Sequence, residues 1–405
     1  MGSSTFPARG QRTVTEQAHR PAALRVAVLS DYLEERWPSM DLVSDMLTNF
    51  LAAQTAAGIA AVQLRPALRQ RLSRIPVVGW ARAASNGDRL LNRFVDYPRW
   101  LRSRLSSFDL FHLVDHSYSQ LVHVLPKGRA VVTCHDLDTF RCLLEPDREP
   151  RSRSFRAMTR RILDGFLQAA HVIAVSQATR EELLRHKLFP ADAITVIPNG
   201  VHPACSPKPD PQADALAASY MPEEAVWLLN VGNTLPRKRV DVLLKVFAAV
   251  SREFPEARLL RVGGFTPAHL ELIRELKIER VVSHLPYLDR STLAAVYRRA
   301  TLLVHTAEAE GFGLPLVEAM ACGCPVAASD IPVLREVGGT AASFSALADM
   351  DAWRESLAQL LNEKRHQPDQ WERRRQRSIA WAARYSWEEN ARRTADIYRK
   401  VMENQ

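Results

Sequence analysis

From Leu24 onward, short runs rich in β-branched and other apolar residues alternate with segments of helical periodicity; the pattern breaks once and then begins again. "LRVAVLS", "IAAVQLR", "DLFHLV", "RAVVTC", "HVIAVS" and "AITVIPNG" read as strands. Between them, "MDLVSDMLTNFLAAQTAAG", closed by a glycine, and "ATREELLRHK" read as helices. Strands this apolar are covered on both faces, a property of parallel sheets whose crossovers are helices. "HPACSPKPDPQADA", with four prolines and no period, marks a linker. After it, "VWLLNVG", "ARLLRVGG", "RVVSHL", "TLLVHT" and "PVAAS" repeat the strand pattern.

The fold class expected is therefore α/β, with two doubly wound Rossmann-like domains facing across a cleft. Residues 1–22, polar and without period, are expected to form a disordered tail. The first domain is expected over 23–203, the linker over 204–222 and the second domain over 223–383. Residues 384–405 are expected to form a C-terminal helix packing back on the first domain. Ligands of such sheets sit at the carboxyl ends of the strands, so the cleft between the domains is the expected active site.

Several classes are set aside early. No apolar run approaches the ~18 residues needed to cross a bilayer. The N-terminus lacks the pattern of a secretory signal, and Phe6 breaks the myristoylation pattern that "MGSST" suggests. The five cysteines (Cys134, Cys142, Cys205, Cys322 and Cys324) form no CxxC pair, so reduced thiols in a cytoplasmic protein are expected, with no metal bound. No cofactor is called for.

"EAEGFGLPLVEAMACGCPVAASD", Glu308 to Asp330, carries the chemistry. It follows the strand "TLLVHT", so it lies at a strand's carboxyl end. Pro315 suits the first turn of a helix and Gly323 its stop. Gly311, Phe312, Gly313 and Leu314 then offer backbone N–H groups at a helix N-terminus, where the dipole favours an anion such as a diphosphate. The flanking acids, Glu310 and Glu318, repel phosphate and suit hydroxyls instead. Glu310, in the loop, is expected to hold a sugar ring, and Glu318, in the helix's first turn, a ribose. The string reads as a clamp for a nucleotide diphosphate sugar.

"EGFGLPLVEAMACGCPV" resembles the signature of glycosyltransferase family 4, retaining enzymes with the two-Rossmann (GT-B) fold, whose paired glutamates fall on Glu310 and Glu318. "VVTCHDL", "HVIAVSQATREEL", "ITVIPNGV", "NVGNTLPRKRVDVLLKVF" and "YSWEENARRTADIYRKV" resemble further family segments in the same order. The resemblance implies that Lys238 contacts the donor diphosphate and that His135 stands near the transferred sugar. Asn233 occupies the place of a family arginine, and Arg237 or Arg239 is expected to supply the missing charge. The glycine-rich loop that follows the first strand in many family members is replaced by "DYLEERWPSMDL", where Trp37-Pro38-Ser39 is bulkier and stiffer, so the acceptor is expected to be shaped differently. The loop around Pro286, Tyr287 and Leu288 is expected to recognise the base. The implied reaction moves a hexose from a UDP- or GDP-sugar to a hydroxyl acceptor, with retention and without metal.

Two other readings remain. "DLD", Asp136 to Asp138, resembles the DxD motif of metal-dependent glycosyltransferases of the other large fold. Separately, Arg65 to Arg104 holds ten arginines against Asp88 and Asp96, a surplus of eight in a chain of net charge +9. Trp80, Phe94, Tyr97 and Trp100 are interleaved, so the segment suits a solvated helix face, a membrane surface or a nucleic acid. Arg89, Arg93, Arg102 and Arg104 with Leu90, Phe94, Leu101 and Leu105 would line one basic amphipathic surface, broken at Pro98. Peripheral membrane attachment is the partner favoured for this segment over nucleic acid, which is not expected.

Overall fold

The structure, a computed structural model, describes residues 23–53, 58–75 and 82–404. The N-terminal segment assigned to a tail, and Trp80, lie outside these residues. The first sheet is built from β1 (Leu24–Leu29), β2 (Ile59–Leu64), β3 (Leu110–Leu113), β4 (Ala130–Cys134), β5 (His171–Ala174) and β6 (Ile194–Val196). All its pairings are parallel, in the order β2-β1-β3-β4-β5-β6. The second contains β7 (Val226–Val231), β8 (Ala257–Val262), β9 (Val282–Leu285), β10 (Leu302–His305), β11 (Val326–Ser329) and β12 (Ala342–Ser345). Its order is β12-β11-β10-β7-β8-β9, again all parallel.

The central strands read as continuous apolar runs because helices cover both faces. Val131, Val132, Leu303 and Val304 are buried, and each sheet has one apolar cluster on either side. Strand order reverses between β1 and β3 in the first sheet and between β7 and β10 in the second. There the crossover helices leave to opposite faces and their loops part, which opens a crevice at the strands' carboxyl ends. The loops after β7 and β10 hold "PRKR" and Glu310, so the second sheet's crevice is where the charged residues converge.

Three segments depart from the sequence reading. The linker holds a helix, Pro211–Tyr220: Asp210 caps it by accepting the Ala213 N–H at 3.1 Å, and Pro211 starts it. Prolines at a cap and first turn initiate a helix rather than prevent one. Pro38, expected in a loop, is likewise the first residue of the helix Pro38–Ala53. Pro98 does not break the basic segment: the helix Arg82–Leu91 continues through a π-helical turn, Asn92–Asp96, into Tyr97–Arg102. The wider turn absorbs the missing N–H and the ring of the proline.

The expected basic face is also divided by internal contacts. Arg93 lies 4.1 Å over the Tyr118 ring, Arg104 lies 3.9 Å over Trp100, and Arg71 pairs with Asp96 at 2.6 Å. Leu101 is buried, whereas Leu90 is 46% exposed. Among the described residues no helix is long and apolar enough to cross a membrane.

The helix Trp387–Glu403 lies against the first sheet. Its Ala391, Ala395, Tyr398 and Val401 share an apolar cluster with Val26, Val28 and Leu47. Tyr398 Oη is 2.6 Å from His112 Nδ1, and Asn390 donates to the Pro198 carbonyl at 2.7 Å.

Candidate active site

Glu310 follows β10 in a loop that turns directly into the helix Leu314–Ala321. Gly313, with φ of 89°, caps that helix in a left-handed conformation, and Pro315 lies in its first turn. The helix stops at Gly323 in a Schellman motif: Cys324 N–H donates to the Ala319 carbonyl and Gly323 N–H to that of Met320, both at 2.9 Å. Gly311 is required for a different reason. A Cβ there would lie 1.8 Å from the carbonyl oxygen of His135, so only glycine lets this loop touch the first domain. Its own carbonyl accepts Ser176 Oγ–H at 2.8 Å.

Around the Glu310 carboxylate stand Lys238, in direct ion pair, His305 Nε2 at 2.8 Å and Arg237 Nη1 at 3.7 Å. Burial alone would raise its pKa, but Lys238, His305 and Arg237 outweigh it and hold the carboxyl well below the usual carboxylate range. Burial lowers the His305 pKa, so the neutral ring donates Nε2–H to Glu310. Its Nδ1 is then a buried acceptor without a partner.

The loop after β7 forms a short helical turn, Pro236–Lys238, and Arg239 leaves it at φ 45°. That kink sends the two arginines apart. Arg239 pairs with Asp241 at 3.0 Å and Glu308 at 2.9 Å. Arg237 turns to the first domain, with Asp138 at 2.8 Å and Asp136 at 3.5 Å. Arg141 also meets Asp138, at 3.2 Å, so guanidinium groups already occupy the acids of the "DLD" segment. Asn233 uses its side-chain oxygen in a local turn, accepting Leu235 N–H at 3.2 Å.

Glu318 is placed differently from its expected position. It lies in the second turn of its helix and is 3% exposed. Tyr297 Oη donates to it at 3.1 Å and Arg290 approaches to 3.6 Å. Burial raises its pKa, and Arg290 and Tyr297 offset that only in part. Arg290 also donates to the Pro38 carbonyl of the first domain at 2.9 Å. The loop Pro286–Leu288 follows β9, with β7 and β8 between it and β10, and Tyr287 there is 57% exposed.

His135 comes directly after β4. Its Nε2–H donates to the Val114 carbonyl at 2.7 Å, burial lowers its pKa, and the ring is neutral with Nδ1 as acceptor. The structure thus brings His135, Arg237, Lys238, Glu310 and the Gly311–Leu314 turn together, while Pro286–Leu288 stand at the sheet's edge. Sequence reasoning missed His305, Arg290 and Tyr297. His305 had a signal, as a polar residue ending the apolar strand "TLLVHT"; Arg290 and Tyr297 sit in an ordinary amphipathic helix, Arg290–Arg299.

Two family descriptions match this chain: Glycosyltransferase Family 4 over residues 46–204 and Glycosyl transferases group 1 over 214–378. Among curated proteins, the O-antigen chain mannosyltransferase B of Escherichia coli is 29% identical over 330 residues, covering 78% of this chain and 84% of the relative. Among solved structures, the sucrose-phosphate synthase of Thermosynechococcus elongatus superposes with a TM-score of 0.71 at 20% identity, covering 94% of this chain and 100% of the other. Anabaena HepE in complex with UDP-glucose superposes with a TM-score of 0.69 at 15% identity, covering 93% and 100%. Their fold is the two-domain fold described above.

Proposed function

The chain belongs to glycosyltransferase family 4, and from that premise we propose that it is a retaining, metal-independent hexosyltransferase, moving a hexose from a nucleoside diphosphate sugar to a hydroxyl acceptor. One observation carries the reading. A fully ionised Glu310 is held among Lys238, Arg237 and His305, at the switch point of the second sheet and the start of a helix. With Oε1 taken by Lys238 and His305, the acid so placed keeps Oε2 to accept from a hydroxyl, while the cations and the helix N-terminus beside it favour phosphate. HepE, a structural neighbour, holds UDP-glucose, which supports a donor of that class.

In this reading the donor's sugar lies on Glu310 and its diphosphate on Lys238, Arg237 and the Gly311–Leu314 turn. The base reaches towards Pro286, Tyr287 and Leu288, with the ribose on Glu318. As the glycosidic bond breaks, charge develops on the leaving diphosphate, where Lys238, Arg237 and the helix dipole stabilise it. The departing phosphate oxygen takes the acceptor's proton on the same face, which retains configuration. His135, an acceptor at Nδ1, holds a sugar hydroxyl. The close contact of Gly311 with His135 keeps water from the reacting face.

Thermal unfolding with UDP, GDP and ADP tests the donor reading. Binding to the folded state adds about 2.7 kcal/mol at a hundredfold excess over Kd, so one base should raise Tm by several degrees, and Lys238→Ala should reduce that rise. No response to any nucleotide overturns it. EDTA should leave transfer unchanged, because Arg237 and Arg141 already occupy Asp136 and Asp138; loss restored by Mn²⁺ favours the metal-dependent alternative. Anomeric proton NMR of the product decides retention. Exposed Ile75 and Leu90 beside the basic residues of 65–104 favour peripheral contact with an anionic lipid surface; equal flotation with anionic and neutral vesicles overturns it.

A further inference from the structure

Arg261 is the penultimate residue of β8 and is 1% exposed, yet no carboxylate meets it among the described residues' ion pairs. A guanidinium stripped of water without a counter-charge is costly unless its N–H groups are all but satisfied. Here they are satisfied by neutral oxygens. Nη1 donates to the Asn230 side chain; Nη2 donates to the carbonyls of Gly232 at 3.0 Å and Asn233 at 2.6 Å; Nε donates to that of Gly264 at 3.1 Å. Burial lowers its pKa to about 10, still far above neutrality, so the group stays charged.

These acceptors have a common geometry. Gly232, Asn233 and Gly264 lie in the two glycine-containing loops at the carboxyl ends of β7 and β8, the first of which goes on to carry Arg237 and Lys238. Gly263, at φ 127°, would put a Cβ 2.1 Å from the Gly232 carbonyl oxygen, so the loops are packed directly on one another. A trans peptide is planar, with its C=O and N–H pointing opposite ways. Three carbonyls drawn onto the guanidinium therefore turn the N–H groups of Asn233, Thr234 and Phe265 away from it. Successive outward N–H groups over a buried positive charge form an anion-binding concavity.

We propose that Arg261 is a positioning residue for the donor diphosphate. It draws in the carbonyls of Gly232, Asn233 and Gly264, aims the N–H groups of Asn233, Thr234 and Phe265 at the phosphates, and supplies from beneath the charge that Asn233 lacks. The inference rests on the nucleotide-sugar reading. It explains how a neutral side chain, tied into its own turn, can occupy a position next to a phosphate: backbone, not side chain, makes the contact.

Isothermal titration with UDP and GDP, and with UMP and GMP, tests it on the full chain. In Arg261→Met the Kd for the diphosphate that binds the parent should rise at least tenfold, and for the matching monophosphate by less. Arg261→Lys, which keeps the charge but cannot fork across three carbonyls, should recover part of the loss and show a steeper dependence on salt. If Arg261→Met does not fold, Arg261→Lys alone carries the test, with a rise of roughly threefold or more expected. A diphosphate Kd unchanged in either folded variant overturns the proposal, as does an equal loss for monophosphate and diphosphate, which marks a structural role only. A parent that binds no nucleoside diphosphate instead overturns the function proposed above.

Discussion

His305 Nε2 lies 2.8 Å from Glu310 Oε1, so the last residue of β10 orients the acid that follows it in the next loop. With Lys238 on the same oxygen, the carboxylate has one position and one charge state. His305→Ala removes a hydrogen bond to a charged group, an effect of about 1.5–3 kcal/mol. Transfer should fall roughly ten- to a hundredfold, while the nucleoside diphosphate Kd stays within about threefold of the parent. Equal damage to both would make His305 a packing residue only.

Glu310→Gln keeps the shape of the site and removes its negative charge. Nucleoside diphosphate should bind at least as well as to the parent, because Lys238 and Arg237 lose a competing partner. Transfer should be largely lost, since the charge is removed at the sugar end. Parental transfer rates in this variant would reduce Glu310 to a loop acid.

Glu318 should show the conflict between stability and function. Its folded pKa is raised above the ordinary value of 4.5, chiefly by burial. Stability associated with the protonated carboxyl is thus present below that value and lost as pH rises through the higher folded one. Glu318→Gln has no such loss, so its Tm relative to the parent should improve from about pH 4 to pH 8, while its affinity for nucleoside diphosphate weakens. A relative Tm that instead declines with pH would mean that the attraction of Arg290 outweighs burial.

Gly311→Ala tests the contact between the domains. The added Cβ falls 1.8 Å from the His135 carbonyl oxygen, and backbone on both sides cannot yield without the loops separating. The donor's nucleotide should still bind, because its groups lie in the second domain, but transfer should drop by a hundredfold or more. Small-angle scattering should report a larger radius of gyration. Unchanged activity and dimensions would show that the loops are not apposed in solution.

The α/β alternation was legible in the residues because period and apolarity are local, and a doubly covered parallel strand must read as a continuous apolar run. Glu310 and the glycines were legible for the same reason: a helix N-terminus, its stop and an acid before it all lie within one short stretch. Lys238 was reached only through the family resemblance, and Glu318 lies one turn further into its helix than the spacing suggested. Tertiary structure alone decided which arginine faces the cleft, since the left-handed kink at Arg239 sends two neighbours in opposite directions. It also decided that Pro211 and Pro38 begin helices and that a π-helical turn carries the chain through Pro98. His305 is a near neighbour of Glu310, but the other partners came from separate elements: Arg290 and Tyr297 from a helix facing Glu318, and Arg237 reaching Asp138 across the domains. Their spacing in sequence carries no period, because packing alone brings them together. Arg261 is the extreme case. In the sequence it is one polar residue in an apolar strand; only burial without a counter-charge, beneath three inward carbonyls, gives it a role.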